Sequence, residues 1–261
     1  NHGSARPIFN KWRAQKADPS PAAYPQGQRM YCIGDIHGCA DLLEDLHREV
    51  VLDAVGFGGD CQLLYVGDYV DRGDGTRQVL DILVEQPLEG FETIHLRGNH
   101  EQAMLDFLVD PEVMSGWLQW GGVATLRSYG IHPSPMPSRK ELQVLKEQLE
   151  QAIPADHLQF LNDTIPAYAN GDYYFVHAGV RPGVALEKQA FEDQLWIREP
   201  FLQSKNDHGA VVVHGHSITT EVEMLPNRIG IDTGAYHSDV LSCLVLEGTQ
   251  QRLLQTGKNA G

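Results

Sequence analysis

Cysteine, positive charge and long apolar runs are all scarce in this sequence, and each shortage excludes a class of protein. The 261 residues include only four cysteines, and none of them forms a CxxC pair. Four is too few for a disulfide framework and favours a reducing, cytoplasmic setting. No apolar stretch approaches the ~20 residues that span a bilayer. We therefore expect neither a disulfide-bonded secreted fold nor a membrane-spanning protein.

Acidic residues outnumber basic residues by 35 to 20, which gives a formal net charge of −15. A surface with this balance repels nucleic acid and anionic lipid as a whole, so we expect neither as a partner. An anionic substrate would have to be attracted by positive charge concentrated at one site. The oligomeric state is left open by these properties.

The first 28 residues contain four prolines and no sustained periodicity, which predicts an extended arm ahead of one catalytic domain over residues 29–255. At this length, 42% hydrophobic residues can bury a substantial core. From Arg29 onward, short apolar strands alternate with amphipathic helices, a pattern typical of βαβ units.

The expected elements follow from the hydrophobic pattern. The predicted strands cover 29–34, 62–67, 92–98, 172–178, 210–215, 228–232 and 241–248, and the predicted helices cover 40–50, 76–85 and 101–109. Residues 111–163 have a mostly helical pattern with a proline-rich break at 132–138, which predicts a helical insert within the domain. The predicted fold class is α/β, a β-sandwich of two mixed sheets flanked by helices.

Short polar motifs directly follow several of the apolar runs. They are GDIHG (34–38), GDYVDRG (67–73), GNHE (98–101), HAG (177–179) and GH (215–216). Ligands of open α/β sheets lie beyond the carboxyl ends of the strands, so we expect these motifs to converge on one pocket. Each motif alone is an ordinary turn sequence, and only their joint occurrence in this order favours a functional site.

The first three motifs contain residue types that bind metal ions. Asp35 and His37 are two residues apart, so on an extended chain both side chains leave the same face and suit one cation. Asp68 has two carboxylate oxygens, which allow it to bridge to a second cation. Asn99 offers a neutral carbonyl oxygen to that second site.

Histidines in the last two motifs complete the ligand set of the second cation. His177 and His216 follow separate strands, and His214 lies on the same predicted strand face as His216, so either of that pair could be the ligand. Mixed imidazole, carboxylate and carbonyl ligation suits Mn, Fe or Zn rather than Ca. We expect two divalent cations, manganese first and iron or zinc as alternatives.

Positive charge at this centre would attract phosphate. Two aspartates neutralise only part of the charge on two divalent cations, so a positive surplus remains for a phosphoryl group. Arg72 and Arg198 are expected to extend this attraction as bidentate phosphate clamps, and Asn99 to contact the phosphate as well.

His100 is expected to play a different part from the metal ligands. It directly follows Asn99, and successive residues on an extended chain point in opposite directions, so it is not expected to bind the same cation. It can face the substrate and donate a proton to a poor leaving group, while Asp71 holds its imidazole in the required tautomer.

In their order, the five motifs resemble the signature of the PPP-type serine/threonine protein phosphatases, which are metallophosphoesterases, over about residues 30–250. The phrases VHAGVRPG, LWIREPFL and VVVHGHS are most similar to the bacterial and Rhizobiales-like branch. The resemblance implies two metal sites that share one carboxylate, the first formed by Asp35, His37 and Asp68 and the second by Asp68, Asn99, His177 and His216.

The resemblance also implies roles for residues that do not bind metal. His100 matches the proton donor of the family, Asp71 its orienting partner, and Arg72 and Arg198 its phosphate-binding arginines. Eukaryotic members have a tyrosine near the site, for which Tyr236 is a loose counterpart.

The function expected from the resemblance is that of a phosphoprotein phosphatase. It would hydrolyse phosphoserine and phosphothreonine, and phosphotyrosine as an extension, by direct attack of a hydroxide that bridges the two metals. The expected partner is a phosphoprotein or phosphopeptide. Symmetrical diadenosine tetraphosphate hydrolases share the GDxHG and GNHE motifs, so a nucleotide phosphoesterase is the alternative. A non-enzymatic scaffold that binds phosphopeptides is a third hypothesis, which the retention of every expected ligand disfavours.

Overall fold

Two five-stranded sheets form the frame of the molecule in the computed structural model, which describes residues 20–257. The strands are β1 (Gln28–Ile33), β2 (Asp60–Tyr65), β3 (Phe91–His95), β4 (Ala167–Asn170), β5 (Tyr173–Val176), β6 (Val211–His214), β7 (Glu223–Met224), β8 (Arg228–Gly230), β9 (Val240–Glu247) and β10 (Gln250–Gly257). The first sheet has the order β10-β9-β1-β2-β3 and the second the order β4-β5-β6-β8-β7.

Each sheet has a parallel centre and antiparallel neighbours. In the first sheet β1, β2 and β3 are parallel, whereas β9 and β10 form an antiparallel pair that joins β1. In the second sheet β5, β6 and β8 are parallel, and β4 and β7 pair antiparallel at the two edges. The predicted α/β fold with two mixed sheets is therefore confirmed.

Helices lie between and beside the strands. They are α1 (Ala40–Ala54), α2 (Thr76–Glu85), α3 (Asn99–Val109), α4 (Gly122–Ser128), α5 (Arg139–Ala152), α6 (Ala155–Asp163), α7 (Phe191–Trp196) and α8 (Ala235–Ser238), with short 3-10 helices at Ser115–Leu118 and Leu186–Lys188. Within residues 20–257, no helix is both long and apolar enough to cross a bilayer.

The apolar side chains of β1 alternate between two cores, as the period of a strand requires. Met30 and Cys32 point between the sheets, where they belong to the same buried cluster as Phe175 of β5. Tyr31 and Ile33 point the other way, into the cluster beneath the helices. This alternation fixes the face of β1 that packs on the second sheet, and with it the position of the loop that follows the strand.

The helix α1 covers the outer face of the first sheet. Leu43, Leu46 and Val50 recur at the spacing of one helical face and are all buried in the cluster that also contains side chains of α2 and α3. Residues 40–50 were predicted as this helix, and the structure continues it through Ala54.

Several elements differ from the sequence predictions. The helix α3 begins at Asn99 and not at Glu101, because Glu101 closes a capping box on Gly98. The pattern also missed the strands β4, β7 and β10 and the helices α7 and α8. These strands lie at sheet edges, where side chains are half exposed and the apolar pattern is weak.

The helical character predicted for residues 111–163 is present in the helices α4, α5 and α6. The proline-rich break at 132–138 falls between α4 and α5, and the side chain of Ser138 caps α5 by accepting a hydrogen bond from the Glu141 amide. The helices α4 and α6 contact α2, and α5 contacts α3. The segment therefore packs on the helical layer of the first sheet.

The last part of the predicted N-terminal arm is packed on the domain. Tyr24 is only 2% exposed within the core between the sheets, and its amide donates to the Gly248 carbonyl at 2.7 Å. Its hydroxyl group donates to Gln62 of β2 and accepts from Asn170 of β4. The rest of the predicted arm, residues 1–19, lies outside the described residues.

Candidate metal centre

The polar motifs meet at one edge of the sandwich, where strands of both sheets end. The loops after β1, β2 and β3 carry the first three motifs, and the loops after β5 and β6 carry the last two. The side chains brought together there, all buried, are Asp35, His37, Asp68, Asn99, His100, His177 and His216. The predicted convergence of the motifs is thus what the structure shows.

Asp68 lies at the centre of this cluster. One of its carboxylate oxygens, Oδ2, is 3.3 Å from Nε2 of His37 and 3.4 Å from Nε2 of His177. The other oxygen, Oδ1, accepts a hydrogen bond from the His100 amide at 3.1 Å. Although burial acts to raise it, the pKa of Asp68 is held well below its usual range by the neighbouring histidines. An ionised carboxylate between two imidazoles is in the position of a bridging ligand.

Asn99 joins the two later histidines. Its side-chain oxygen Oδ1 lies 2.9 Å from Nε2 of His177 and 3.0 Å from Nδ1 of His216. Nε2 of His216 is buried and has no hydrogen-bond partner within residues 20–257. Burial, with the nearby His177, lowers the pKa of His216 to about 2, so the ring is neutral. If Nδ1 carries the proton and donates it to Asn99, Nε2 presents its one lone pair to a cation.

Two of the histidines are oriented by backbone carbonyl groups. Nδ1 of His37 lies 2.8 Å from the Val70 carbonyl oxygen, and Nδ1 of His177 lies 2.8 Å from the Val66 carbonyl oxygen. If each Nδ1 carries the proton and donates, each Nε2 presents a lone pair towards Asp68. Hydrogen bonds of this kind commonly fix metal-binding imidazoles.

Asp35 completes the cluster, next to an acid that the sequence analysis missed. Asp35 accepts a hydrogen bond from the His216 amide at 3.1 Å, and the carboxyl group of Asp232 lies within hydrogen-bonding reach of it. Burial, with repulsion from Asp232 and Asp68, raises the pKa of Asp35 well above its usual range. Buried acids crowded in this way are relieved by a bound cation. Asp232 lies two residues beyond the end of β8, so its place just after an apolar strand was the available signal.

The donor atoms fit a pair of divalent cations. The ligand atoms of His37, Asp68 and His100 lie within 4.8 Å of one another, and so do those of Asp68, His177 and His216. Asp68 belongs to both groups, as the bridging role requires. The nitrogen and oxygen donors suit borderline transition-metal ions, and they do not distinguish manganese from iron or zinc.

The local conformations behind this arrangement differ from those assumed in the sequence analysis. His37 and Asp68 have φ angles of 45° and 53°, in the left-handed region, so Asp35 and His37 do not lie on an extended chain. Asn99 and His100 lie in the first turn of α3, which is also not extended. These parts of the prediction were wrong for two reasons. Neighbouring sequence does not reveal the left-handed conformation of His37 and Asp68, and the predicted helix began two residues late, at Glu101. Such conformations concentrate at functional sites.

His214 and His216 take different directions. His216 has a φ of 64° and turns into the cluster. His214 ends β6, where its Nδ1 contacts the Gly215 carbonyl oxygen at 2.9 Å and its Nε2 lies 3.3 Å from Nη1 of Arg228. The two imidazoles therefore do not share a strand face, and only His216 lies in the cluster.

His100 is held by Asp71. Nδ1 of His100 lies 2.7 Å from Oδ2 of Asp71, and its Nε2 lies 3.9 Å from Oδ2 of Asp68. Asp71 is fully buried and also accepts hydrogen bonds from Nε1 of Trp117 at 2.8 Å and Oγ1 of Thr125 at 2.6 Å. These two partners lie in the predicted helical insert, and nothing in their sequence spacing indicated a link to Asp71.

Glu101 organises the loop that carries Asp68. Its carboxylate accepts hydrogen bonds from the amides of Asp68, Tyr69 and Val70, at 2.8, 2.7 and 3.2 Å, and from the Gly98 amide at 2.9 Å. One side chain thus fixes the end of β3 against the loop after β2. The place of Glu101 in the GNHE motif was its signal in the sequence, although no role in binding metal or substrate was predicted for it.

Two arginines line a cavity of about 370 Å³ above the cluster. Arg72 donates from Nη1 to the Tyr236 hydroxyl group at 2.8 Å, with its guanidinium 5.0 Å from the centre of that ring. Arg198 donates from Nη1 to Oγ of Ser217 at 3.2 Å. Both predicted clamps therefore reach the cavity, and Tyr236 lies beside it in contact with Arg72.

The cluster, its strand-end position and the sandwich fold define a metallophosphoesterase. The sequence model of the calcineurin-like phosphoesterases matches residues 28–240, and the chain belongs to that family. The earlier resemblance is thereby confirmed at the level of the metallophosphoesterase superfamily. The chain is a metal-dependent phosphoesterase of the class that uses two divalent metal ions.

Individual relatives differ in their named activities. The asymmetrical bis(5'-nucleosyl)-tetraphosphatase PrpE of Bacillus mycoides is 23% identical over 235 residues, which cover 81% of this chain and 88% of the relative. Serine/threonine-protein phosphatase 1 of Salmonella typhimurium is 34% identical over 95 residues, 36% of this chain and 39% of that protein. A crystal structure of a candidate diadenosine tetraphosphatase has a TM-score of 0.61 at 22% identity, covers 89% of this chain and 95% of its own, and supports the fold.

Proposed function

We propose that this chain hydrolyses bis(5'-nucleosyl) tetraphosphates by cleaving one phosphoanhydride bond of the polyphosphate. The observation that carries the proposal is one cavity in which two arginines face a candidate two-metal cluster. The substrate class is supported by alignment to a named tetraphosphatase over 81% of the chain, against 36% for a named protein phosphatase. The alternative from the sequence analysis therefore replaces its first hypothesis.

The chain would hold the cations through residues of both sheets. Asp35, His37 and Asp68 would hold one divalent cation, and Asp68, Asn99, His177 and His216 would hold the other. His100, whose donor atom lies within 4.8 Å of those of His37 and Asp68, is assigned to proton transfer and not to ligation because its Nδ1 contacts Asp71. When bound, these cations supply Lewis-acid polarisation of a phosphoryl group and lower the pKa of a water molecule. Manganese is the proposed native ion, with iron and zinc as the alternatives to be compared.

Arg72 and Arg198 bind and orient the phosphates. Both have exposed guanidinium groups on the cavity wall, where planar paired donors match the oxygens of phosphate. They provide the local attraction that an anionic substrate needs against a chain of net charge −15. Asn99 lies deeper, at the base of the cavity, and is the third proposed phosphate contact.

His100 supplies a proton to the leaving oxygen. Asp71 accepts from its Nδ1, so a protonated ring directs Nε2 towards the cavity. As a water oxygen bonds to phosphorus and the water releases a proton to solvent, the bond from phosphorus to the leaving oxygen breaks and that oxygen takes the proton from Nε2 of His100. Proton donation matters most when the leaving group is a poor one.

A turnover screen tests the proposal. Metal-stripped protein is supplied separately with Mn, Mg, Zn and Fe, and assayed with diadenosine tetraphosphate, phosphoserine and phosphotyrosine peptides, and p-nitrophenyl phosphate. We expect the largest kcat/KM for the dinucleotide, with nucleotide products identified by chromatography. Two ADP molecules would indicate symmetrical cleavage, and AMP with ATP asymmetrical cleavage. Turnover of the phosphopeptides with an intact dinucleotide would overturn the proposal.

A phosphoprotein phosphatase is the second candidate function, with a phosphoprotein as partner. The buried pair of His100 and Asp71 favours it, because an alkoxide from serine or threonine leaves poorly and benefits from protonation. The 34% identity with a protein phosphatase over 95 residues also supports it. The same screen separates the two candidates, since each substrate is offered to the same metal-loaded protein.

A further inference from the structure

Two tryptophans form an aromatic pair at the mouth of the cavity. The ring centroids of Trp120 and Trp196 are 5.4 Å apart, with the ring planes at 71°. Both residues line the cavity with Arg72 and Arg198. Trp120 is 40% exposed, which leaves a large apolar surface in water beside two cationic side chains. An exposed aromatic surface at a cavity mouth is an expected place for a flat ligand group.

Each tryptophan is connected to a different part of the site. Trp120 precedes Gly121, whose carbonyl oxygen accepts a hydrogen bond from the Arg72 amide at 3.2 Å. Trp196 ends α7 and contacts the His216 ring edge-on, with the centroids 6.3 Å apart and the planes at 87°. The aromatic pair therefore lies between a phosphate-binding arginine and a proposed metal ligand.

We propose that Trp120 and Trp196 form a stacking site for a nucleobase of the substrate, an inference that rests on the proposed nucleotide function. Because the two rings are far from parallel, a base that stacks on one ring meets the edge of the other. Ile218, 43% exposed, adds apolar surface to the same cavity.

Charge complementarity selects the occupant. A ligand that combines anionic phosphates with a flat aromatic group satisfies the arginines and the tryptophans together, and a nucleotide has both parts. The polyphosphate chain would lie along Arg72 and Arg198 towards the metal cluster, with the base at the mouth. A phosphopeptide with an aromatic residue beside the phosphoserine is the competing occupant, and it forms one arm of the test.

Equilibrium binding tests this site without turnover. Metal-loaded wild type, Trp120→Ala and Trp120→Phe are titrated with AMP, inorganic phosphate and a phosphoserine peptide that contains a neighbouring tyrosine. Base stacking of about 1–3 kcal/mol corresponds to a 5- to 150-fold loss of AMP affinity in Trp120→Ala relative to any loss for phosphate. Trp120→Phe should recover most of that loss. Phe191→Ala is the matched control, because Phe191 is 43% exposed and lies outside the cavity.

The outcomes separate this inference from the proposed function. Equal losses of AMP and phosphate affinity in Trp120→Ala would overturn the stacking site, even if the dinucleotide is hydrolysed. A larger loss for the peptide than for AMP would also overturn it, in favour of a peptide aromatic group. A selective loss of AMP affinity in Trp120→Ala supports the stacking site, whether or not diadenosine tetraphosphate is cleaved. If the dinucleotide is not cleaved but AMP binding still depends on Trp120, the proposed function fails and the stacking site stands.

Discussion

The two sheets contribute different chemistry to one centre. The loops after β1 and β2 and the start of α3, which follow strands of five or six residues, supply Asp35, His37, Asp68, Asn99 and the proposed proton donor His100. The second sheet, with strands of two to four residues, supplies His177 and His216. Asp68 contacts His37 from the first sheet and His177 from the second. The comparison teaches that the first sheet supplies most of the negative charge and the proposed proton donor, whereas neutral donor atoms come from both sheets, with the Asp68 carboxylate between them.

Removing the shared carboxylate should have the largest effect. Asp68→Asn takes the bridging charge from both proposed cation sites, so we expect kcat/KM to fall by ~10⁴-fold or more, a loss above ~5 kcal/mol. His216→Gln removes a proposed ligand of the second cation alone, so it should lower the metal content by one ion and not two. Metal analysis of the purified proteins beside kinetics checks this. Equal metal loss in both variants would contradict the bridging role.

Replacing the proposed proton donor His100 should affect only the part of the site that the first sheet supplies. His100→Asn is expected to slow alkyl phosphate hydrolysis by about 10²- to 10⁴-fold, because the leaving alkoxide loses its acid. Hydrolysis of p-nitrophenyl phosphate should fall much less, since an aryl leaving group needs less protonation. The kcat of both substrates is measured on protein with unchanged metal content. Similar losses on both substrates would count against the acid role.

Asp232, the acid that the second sheet supplies, should contribute to the affinity of the site for metal. Asp232→Asn removes a carboxyl group beside Asp35, and we expect the dissociation constant of manganese to rise about 10- to 100-fold, the usual range for residues that support metal ligands. Titration of metal-stripped protein checks it. Unchanged affinity would mean that the second sheet supports metal binding through its histidines and not through Asp232.

A smaller effect concerns stability in acid, and it arises in the helical layer of the first sheet. Burial lowers the pKa of His47 to about 4, against about 6.5 in an unfolded chain. Between these values the unfolded state binds more protons, so the free energy of unfolding falls as the pH drops from ~6.5 towards 4, by about 3 kcal/mol at most. The Tyr65 hydroxyl group, 2.7 Å from Nε2 of His47, suits the neutral ring.

Denaturant unfolding at several pH values measures this contribution. His47→Gln should flatten the decline in stability between pH 6.5 and 4, whatever its effect at neutral pH. His132→Gln is the control, because His132 is exposed and should leave the decline as in the wild type. An unaltered pH dependence in His47→Gln would show that other groups cause the loss.

The sequence predicted the strands and helices of the first sheet better than those of the second, and the reasons are physical. The helix α2 agrees with its prediction over 76–85, because a covering helix repeats its buried side chains every three or four residues. The edge strands β4 and β7 of the second sheet have no such signal, because they are short and only partly buried. In the site, ligand types were visible in motifs at strand ends. The direction of each ligand was not, since the left-handed conformation of His37 and His216 depends on tertiary contacts.

Residues outside the motifs were the harder part of the site. Trp117 and Thr125, which bind Asp71, resemble ordinary core residues in sequence, because a buried tryptophan is usually there for its apolar area. Trp120 gives no periodic signal that separates a rim residue from a loop residue. Only the folded chain shows that these side chains and the motif residues face each other.

Tyr24 lies far along the chain from every ligand, yet its hydroxyl group joins Gln62 of one sheet to Asn170 of the other. A shortened protein that starts at Arg29 would lose these hydrogen bonds between the sheets, and the two sheets would be freer to move relative to each other. Because Asp68 follows a strand of one sheet and His177 a strand of the other, such movement would change the spacing between the two proposed cation sites without any change in the residues that form them.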